Sequence, residues 1–354
     1  MRSLRTNKTL RTNVITYAVV VAAFMLFQCL GSAGVLSSTM KGQLVPICAY
    51  VLMALSLNLT VGILGELSLG HAGFMSVGAF AGAVTASAMQ DSVPSSALRL
   101  TVAVLVGAAL AAIVGVLIGI PVLRLNGDYL AIVTLAFGEI IKSIVNNLYI
   151  GMDVNGLHAS FLNNTIVLGE GGRMILSGPM GVPGIKKTAT FAAGFILILI
   201  ALFVIFNLVN SRAGRAIMAL RDNRIAAESV GINVTKYKLM AFVISAAIAG
   251  AGGALYGQAQ NAIIATKFDF NTSILILVFV VLGGMGNMLG SILAAALLTV
   301  LPELLRSLND YRMLIYAIVL ILMMLFNSAP AMIQWREQMT EKLREKFGKE
   351  KKEG

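Results

Sequence analysis

Long apolar runs separated by short polar segments dominate the chain. Ten runs have the length and apolarity of membrane-crossing helices or come close to them, and the run at 273–284 is short for a full crossing. They lie at 14–36, 44–63, 72–90, 100–120, 129–148, 189–209, 239–262, 273–284, 289–304 and 312–328. The pattern therefore predicts an all-α, polytopic membrane protein with about 8–10 transmembrane helices.

Composition supports this fold class. Hydrophobic residues make up 58% of the 354 positions and charged residues only 12%, whereas soluble domains have about 25% charged residues. The net charge of +11 is interpreted as setting orientation in the lipid bilayer, and we expect no nucleic-acid partner. The predicted organisation is a basic N-terminus at 1–13, a membrane domain at 14–328 and a charged tail at 329–354.

The distribution of Lys and Arg predicts the orientation of the chain. If the runs cross alternately from a cytoplasmic N-terminus, cytoplasmic segments hold more than twice as many Lys and Arg residues as external ones. Both termini and the polar segment 211–238 are then cytoplasmic. The long segment 149–188, rich in Gly, Asn and Pro, is then an external loop.

Two glycine-rich stretches interrupt the apolar pattern. Gly65–Gly73 reads GELSLGHAG, and Gly283–Gly290 reads GGMGNMLG in the other half of the chain. Each stretch is either a tight turn at the membrane surface or a break inside the membrane that lines a transport path. The candidate residues for such a path are Asn58, Glu66, Ser68, Gly70, His71, Gly73, Glu139, Gly283, Gly284 and Gly286.

Glu139 and Lys142 lie three residues apart in the run 129–148, so they share one helix face. An ion pair would offset part of the cost of inserting these charges and would face protein instead of lipid. We favour an interior structural pair over a substrate ligand, and Lys142 extending towards the outer interface is a further alternative.

The segment 211–238 is the longest polar stretch between two apolar runs. Ser211 is a helix cap, Asp222-Asn223 marks the start of a second short helix, and Gly231 stands where that helix would end. The second helix carries the adjacent small residues Ala226 and Ala227. An ordinary amphipathic loop helix is the simple alternative to a docking helix.

The sequence lacks the motifs of common enzyme sites. GxxxxGK[ST], HExxH, CxxC and GxSxG do not occur, and His71 and His158 are the only histidines. We therefore expect a non-enzymatic protein with no cofactor or metal of its own. An intramembrane hydrolase that uses Glu66 and His71 stays open as an alternative.

Several stretches resemble a known family. The segment GRAIMALRDNRIAAESVGINVTKYK is similar to the EAA loop of ABC importer permeases, and the stretches 56–80, 127–144 and 178–185 are similar to LivM-type permease subunits of branched-chain amino-acid importers. The resemblance implies the ABC importer permease fold in a bacterial plasma (inner) membrane. It also implies an ATPase-coupling role for the residues that match the loop or flank the match, which are Arg224, Ala226, Ala227, Glu228, Ser229 and Gly231.

The same resemblance implies a set of partners. These are a homologous LivH-type permease subunit, two ABC ATPase subunits that bind the ATP, an external substrate-binding protein, and leucine, isoleucine or valine as substrate. Alternatives are an ABC permease for urea, short amides or other small solutes, and an ion-coupled secondary transporter with Glu66 or Glu139 as its ion site.

The predicted orientation is testable by labelling single cysteines in intact cells. A cysteine at Ser160 should react with a membrane-impermeant thiol reagent, because 149–188 is external, whereas a cysteine at Ser229 should react only after the cells are permeabilised. Equal labelling of both positions in intact cells would contradict the orientation.

Overall fold

The computed structural model describes residues 2–33, 37–90, 92–125, 127–153, 156–162, 166, 168–169, 172–305 and 311–328. The predicted charged tail at 329–354 lies outside the described residues. The chain divides into two compact units, Met1–Ala296 and Leu297–Gly354. All features discussed below belong to the first unit unless stated.

Helices account for most of the described chain, and each of the ten predicted apolar runs contains a helix. Two further short helices lie in the polar segment 211–238. The helices are α1 Arg2–Ser32, α2 Ser38–Asn58, α3 His71–Ala88, α4 Ser96–Val122, α5 Asp128–Asn146, α6 Phe191–Asn210, α7 Arg212–Asp222, α8 Arg224–Ser229, α9 Val234–Ala259, α10 Phe270–Gly283, α11 Met288–Leu304 and α12 Arg312–Ser328.

Six helical segments in the described part of the chain are long and apolar enough to cross a membrane. They are α1, α2 with the turn that extends it to Leu64, α4, α6, α9, and α10 with the turn before it. The other four predicted runs correspond to α3, α5, α11 and α12; α5 carries the charged residues Asp128, Glu139 and Lys142, and α11 is a shorter apolar helix. The protein is therefore a multi-pass membrane protein.

Helix α9 lies at the centre of the first unit and packs against α2, α3 and α4. Glycines allow the backbones of α3 and α9 to approach closely. A Cβ atom added at Gly78 would lie 2.0 Å from the carbonyl oxygen of Gly250, and one added at Gly253 would lie 2.0 Å from that of Met75. Small residues at helix crossings are the usual basis of packing between membrane helices.

The segment predicted as a long external loop contains a sheet that the sequence pattern did not reveal. Strands β1 (Leu148–Asp153), β2 (Gly156–Phe161) and β3 (Arg173–Ser177) form an antiparallel sheet in the order β2-β1-β3. Arg173 donates a hydrogen bond of 2.6 Å to the carbonyl oxygen of Ser87 at the end of α3. The sheet is therefore attached to the helices.

Close packing of α3 on α9 predicts an unequal response to added methyl groups. Gly253→Ala should lower the free energy of unfolding by about 1–3 kcal/mol, because the new Cβ overlaps the backbone of α3. Gly42→Ala is the matched control: Gly42 is exposed in α2 with no atom within 4 Å of an added Cβ. Thermal unfolding in detergent measures both, and equal melting temperatures for the two variants would contradict this packing.

Candidate coupling segment and glycine-rich interruptions

The first glycine-rich stretch breaks the helical path between α2 and α3. Helix α2 continues as a π-helical turn, Leu59–Leu64, and ends at Gly65, which has a φ of 81°. Residues 65–70, here called the linker, are not helical, and α3 begins at His71. Glycine is suited to position 65 because a left-handed backbone strains other residues.

Side chains from other helices bind the backbone groups that this break frees. The Leu69 N–H donates to the Thr134 hydroxyl at 3.1 Å, and the Ala72 N–H donates to the Ser273 hydroxyl at 3.2 Å. A Cβ at Gly70 would lie 2.1 Å from the carbonyl oxygen of Thr134. The linker is therefore held closely against α5, and only glycine fits at position 70.

Ser68 and His71 belong to a buried polar cluster. The two ring nitrogens of His71 lie 3.1 Å from the Ser68 hydroxyl and 2.8 Å from the Ser245 hydroxyl of α9. Ser245 also contacts the hydroxyls of Ser56 and Thr60. All five residues are at most 1% exposed. In this conformation these side chains fix the linker within the protein and do not line an open passage.

The second glycine-rich stretch meets the first. Helix α10 ends at Gly283, and Gly284 and Gly286 have φ values of 91° and 82°. The Gly286 N–H donates to the Asn58 amide oxygen at 2.7 Å, and the Asn58 amide nitrogen donates to the Ser291 hydroxyl at 2.9 Å. Asn58, the last residue of α2, therefore connects the end of this helix to the second interruption.

The helix caps predicted in 211–238 are confirmed. The Ser211 hydroxyl accepts from the Gly214 N–H at 3.1 Å, and the Asn223 amide oxygen accepts from the Ala226 N–H at 3.0 Å. Gly231 has a φ of 84° immediately beyond α8. Local hydrogen bonds thus define the starts of two short helices, α7 and α8, which we call the coupling segment.

The predicted small docking face is only partly exposed. Ala226 and Glu228 are exposed, but Ala227 is 4% exposed and its carbonyl oxygen accepts from the Ile232 N–H at 3.1 Å. The assignment of Ala227 to the outward surface is therefore wrong in this conformation. Ile225 and Val230, which are 81% and 75% exposed, provide the apolar surface instead. Two bulky apolar residues in a polar segment were the sequence signal for this face.

Two basic residues connect the coupling segment and the start of α9 to the first interruption. Arg221 of α7 donates a hydrogen bond of 2.9 Å to the Gly62 carbonyl oxygen, and the aliphatic part of its side chain covers Gly65. Lys238 of α9 forms an ion pair with Glu66, and their side chains are 4% and 13% exposed. The interruption lies beside the segment predicted to be cytoplasmic, which favours a turn at that surface over a break in mid-membrane.

Glu139 and Lys142 form the predicted ion pair on α5. Their side chains are 44% and 24% exposed, so this chain does not enclose the pair. An interior position for the pair therefore stays a prediction. Gly73 of α3 packs closely against α5, where an added Cβ would be 3.0 Å from the Cα of Gly138.

A multi-pass helical chain with paired interruptions and a capped polar helix pair has the features of a transport permease. The chain belongs to the family described as branched-chain amino acid transport system, permease component, which matches residues 40–325. No solved structure matches the chain.

Several curated proteins are similar to this chain. LivM, a high-affinity branched-chain amino acid transport system permease protein of Salmonella typhimurium (strain LT2), is 38% identical over 82% of this chain and 69% of its own length. LivM of Escherichia coli (strain K12) is 37% identical over the same shares. The nucleoside ABC transporter permease protein NupC of Lactococcus lactis subsp. cremoris is 25% identical over 55% of this chain and 59% of its own length.

The buried pair of Glu66 and Lys238 predicts that removing one charge destabilises the protein more than removing both. Lys238→Met should destabilise the protein by about 3–5 kcal/mol, because it leaves the Glu66 carboxylate buried without its cation. The double variant Glu66→Met with Lys238→Met should recover most of this loss, since apolar residues often replace a buried pair without cost. Thermal unfolding in detergent measures the stability of both variants. A Lys238→Met variant as stable as the parent protein would contradict the pairing.

Proposed function

We propose that this chain is the permease subunit of an ABC importer for leucine, isoleucine and valine. It pairs with a LivH-type permease subunit in a bacterial plasma membrane, with both termini in the cytoplasm. An external binding protein delivers the substrate, and two ATPase subunits bind the cytoplasmic side. Membership of the permease family supports this proposal, as does the similarity to two LivM proteins.

The observation that carries an ATP-driven mechanism is the pair of exposed apolar residues at the end of the coupling segment. Ile225 of α8 and Val230, the residue directly after this helix, are 81% and 75% exposed. Contiguous exposed apolar surface marks protein-binding sites, whereas single exposed apolar residues are common, so the resemblance of this segment to the EAA loop is what makes these two residues the candidate contacts. The sequence has no GxxxxGK[ST] motif, so the ATP would be held by the partner ATPases.

The contacts of the coupling segment provide a route for motion into the membrane domain. Displacement of α7 and α8 would act on the first interruption through Arg221, and displacement of the start of α9 would act on it through Lys238. The linker would act on α5 through its hydrogen bond and close contact with Thr134. Binding of ATP to the partner ATPases would in this way shift the helices between outward-open and inward-open arrangements.

The same contacts count against an ion-coupled carrier. Glu66 forms an enclosed pair with Lys238, so this carboxylate already has a cation. A self-contained carrier also needs no docking helix. An ABC permease for urea, short amides or other small solutes would use the same coupling mechanism. Comparing the uptake of these solutes with that of leucine, isoleucine and valine distinguishes this alternative from branched-chain amino-acid transport.

The docking face predicts an order of effects on leucine uptake. Ile225→Asp and Ala226→Trp should each lower uptake at least about tenfold and reduce co-purification of the ATPases, because a buried charge or added bulk opposes close packing. Glu228→Ala is the matched control on the same helix and should be milder, since an exposed charge contributes about 0–1 kcal/mol.

Uptake and co-purification are compared at equal amounts of inserted protein. The substitution Ala227→Trp is unsuitable for this purpose, because Ala227 is packed inside the chain. Normal leucine uptake by Ile225→Asp, or uptake that does not require the ATPases, would contradict the proposed function.

A further inference from the structure

Helix α5 carries two charged side chains on a part of its surface that this chain leaves open. Glu139 and Lys142 pair with each other, and the exposed apolar residues Ile132 and Ile140 belong to the same helix. Charged side chains within membrane segments are costly and almost always face the interior of the helix bundle or a water-filled cavity. We therefore expect this part of α5 to face protein or a water-filled passage in the assembled importer, not lipid.

A second carboxylate lies beside the pair. Asp269 caps α10, its carboxylate oxygens accepting from the Thr272 N–H at 3.0 Å and the Asn271 amide at 2.9 Å. Lys142 is close enough to Asp269 for electrostatic attraction. The Lys142 ammonium group is thus attracted by two carboxylates, those of Glu139 and Asp269. Within the ion pair, the Glu139 side chain is more exposed than that of Lys142.

The position of the pair along α5 places it near the predicted external side. Lys142 precedes Asn146, the last residue of α5, by one helical turn, or about 6 Å. Strand β1 of the predicted external segment follows directly. A substrate released by an external binding protein would meet this end of α5 first.

We propose that Glu139 and Lys142 bind the zwitterionic end of the amino-acid substrate. Lys142 would bind the α-carboxylate, and Glu139 would bind the α-ammonium group, while exposed apolar side chains of α5 contact the branched side chain. When substrate binds, the ion pair between Glu139 and Lys142 is replaced by two ion pairs with the substrate, so each protein charge has a partner before and after binding. This inference rests on the proposed function and names the substrate-binding residues on this subunit.

Residues of α5 close to this site pack against the linker and α3, which connects the site to the coupling segment. Thr134 holds the linker and lies about 12 Å along the helix from Lys142. Gly138, next to Glu139, faces Gly70 and Gly73. Substrate binding that shifts α5 would therefore change the position of the linker, and by linkage the coupling segment would change the affinity for substrate.

The test compares charge removal with charge exchange in importers reconstituted in proteoliposomes. Lys142→Gln and Glu139→Gln should each lower leucine uptake at least about tenfold, as expected for the loss of a charged hydrogen bond. The exchanged variant, Glu139→Lys with Lys142→Glu, should retain subunit assembly and thermal stability but not uptake, because the two charges now occupy the wrong positions for the substrate. Lys267→Gln, an exposed lysine before α10, is the control and should transport normally.

A binding measurement separates substrate recognition from structural pairing. In the assembled importer without the binding protein, unlabelled leucine should displace radiolabelled leucine at least about tenfold better than leucinol, which lacks the carboxylate. Lys142→Gln should remove this preference. Full uptake by the exchanged variant, or no saturable leucine binding, would overturn the inference while leaving the proposed function intact. Failure of the parent importer to transport leucine would instead reject the proposed function.

Discussion

The structure depends on one constraint: every backbone polar group freed where a membrane helix breaks must find a partner within the protein. At the first interruption these partners come from other parts of the chain. Arg221 of α7 binds the Gly62 carbonyl, Thr134 of α5 binds the Leu69 N–H, and Ser273 of α10 binds the Ala72 N–H. The π-helical turn, the linker and the start of α3 are consequently tied to α7, α5 and α10, and displacement of any of these helices would act on them.

This constraint explains how a short cytoplasmic helix pair can act on helices that cross the membrane. The coupling segment presents its apolar surface outward and uses Arg221 to hold the interruption, while Lys238 at the start of α9 holds Glu66. Close glycine contacts between α3 and α9 make that part of the structure stiff, because there is no side chain that could adapt. Motion is therefore expected to pass into α5 and α3 as displacement of whole helices.

The parts of the structure that depend on local sequence were predictable, and the parts that depend on distant contacts were not. Apolar run length predicted the helices, and hydrogen bonds within three residues made the caps at Ser211 and Asn223 recognisable. The pairing of Glu66 with Lys238 joins residues 172 positions apart, so no spacing rule reveals it. The burial of Ala227 depends in the same way on tertiary packing, whereas the sheet at 148–177 is hidden by a composition rich in turn-forming residues.

The most direct test of the account measures whether the linker moves with the coupling segment. Spin labels at Leu67 and Ser229, both exposed positions, report the separation of the two elements, and a label at Met25, an exposed position of α1, provides the reference. The distances are measured in the assembled importer without nucleotide and with ATP trapped by vanadate. The account predicts an unchanged Leu67–Ser229 distance and a changed Leu67–Met25 distance. A coupling segment that moves relative to Leu67, while the Leu67–Met25 distance stays constant, would contradict it.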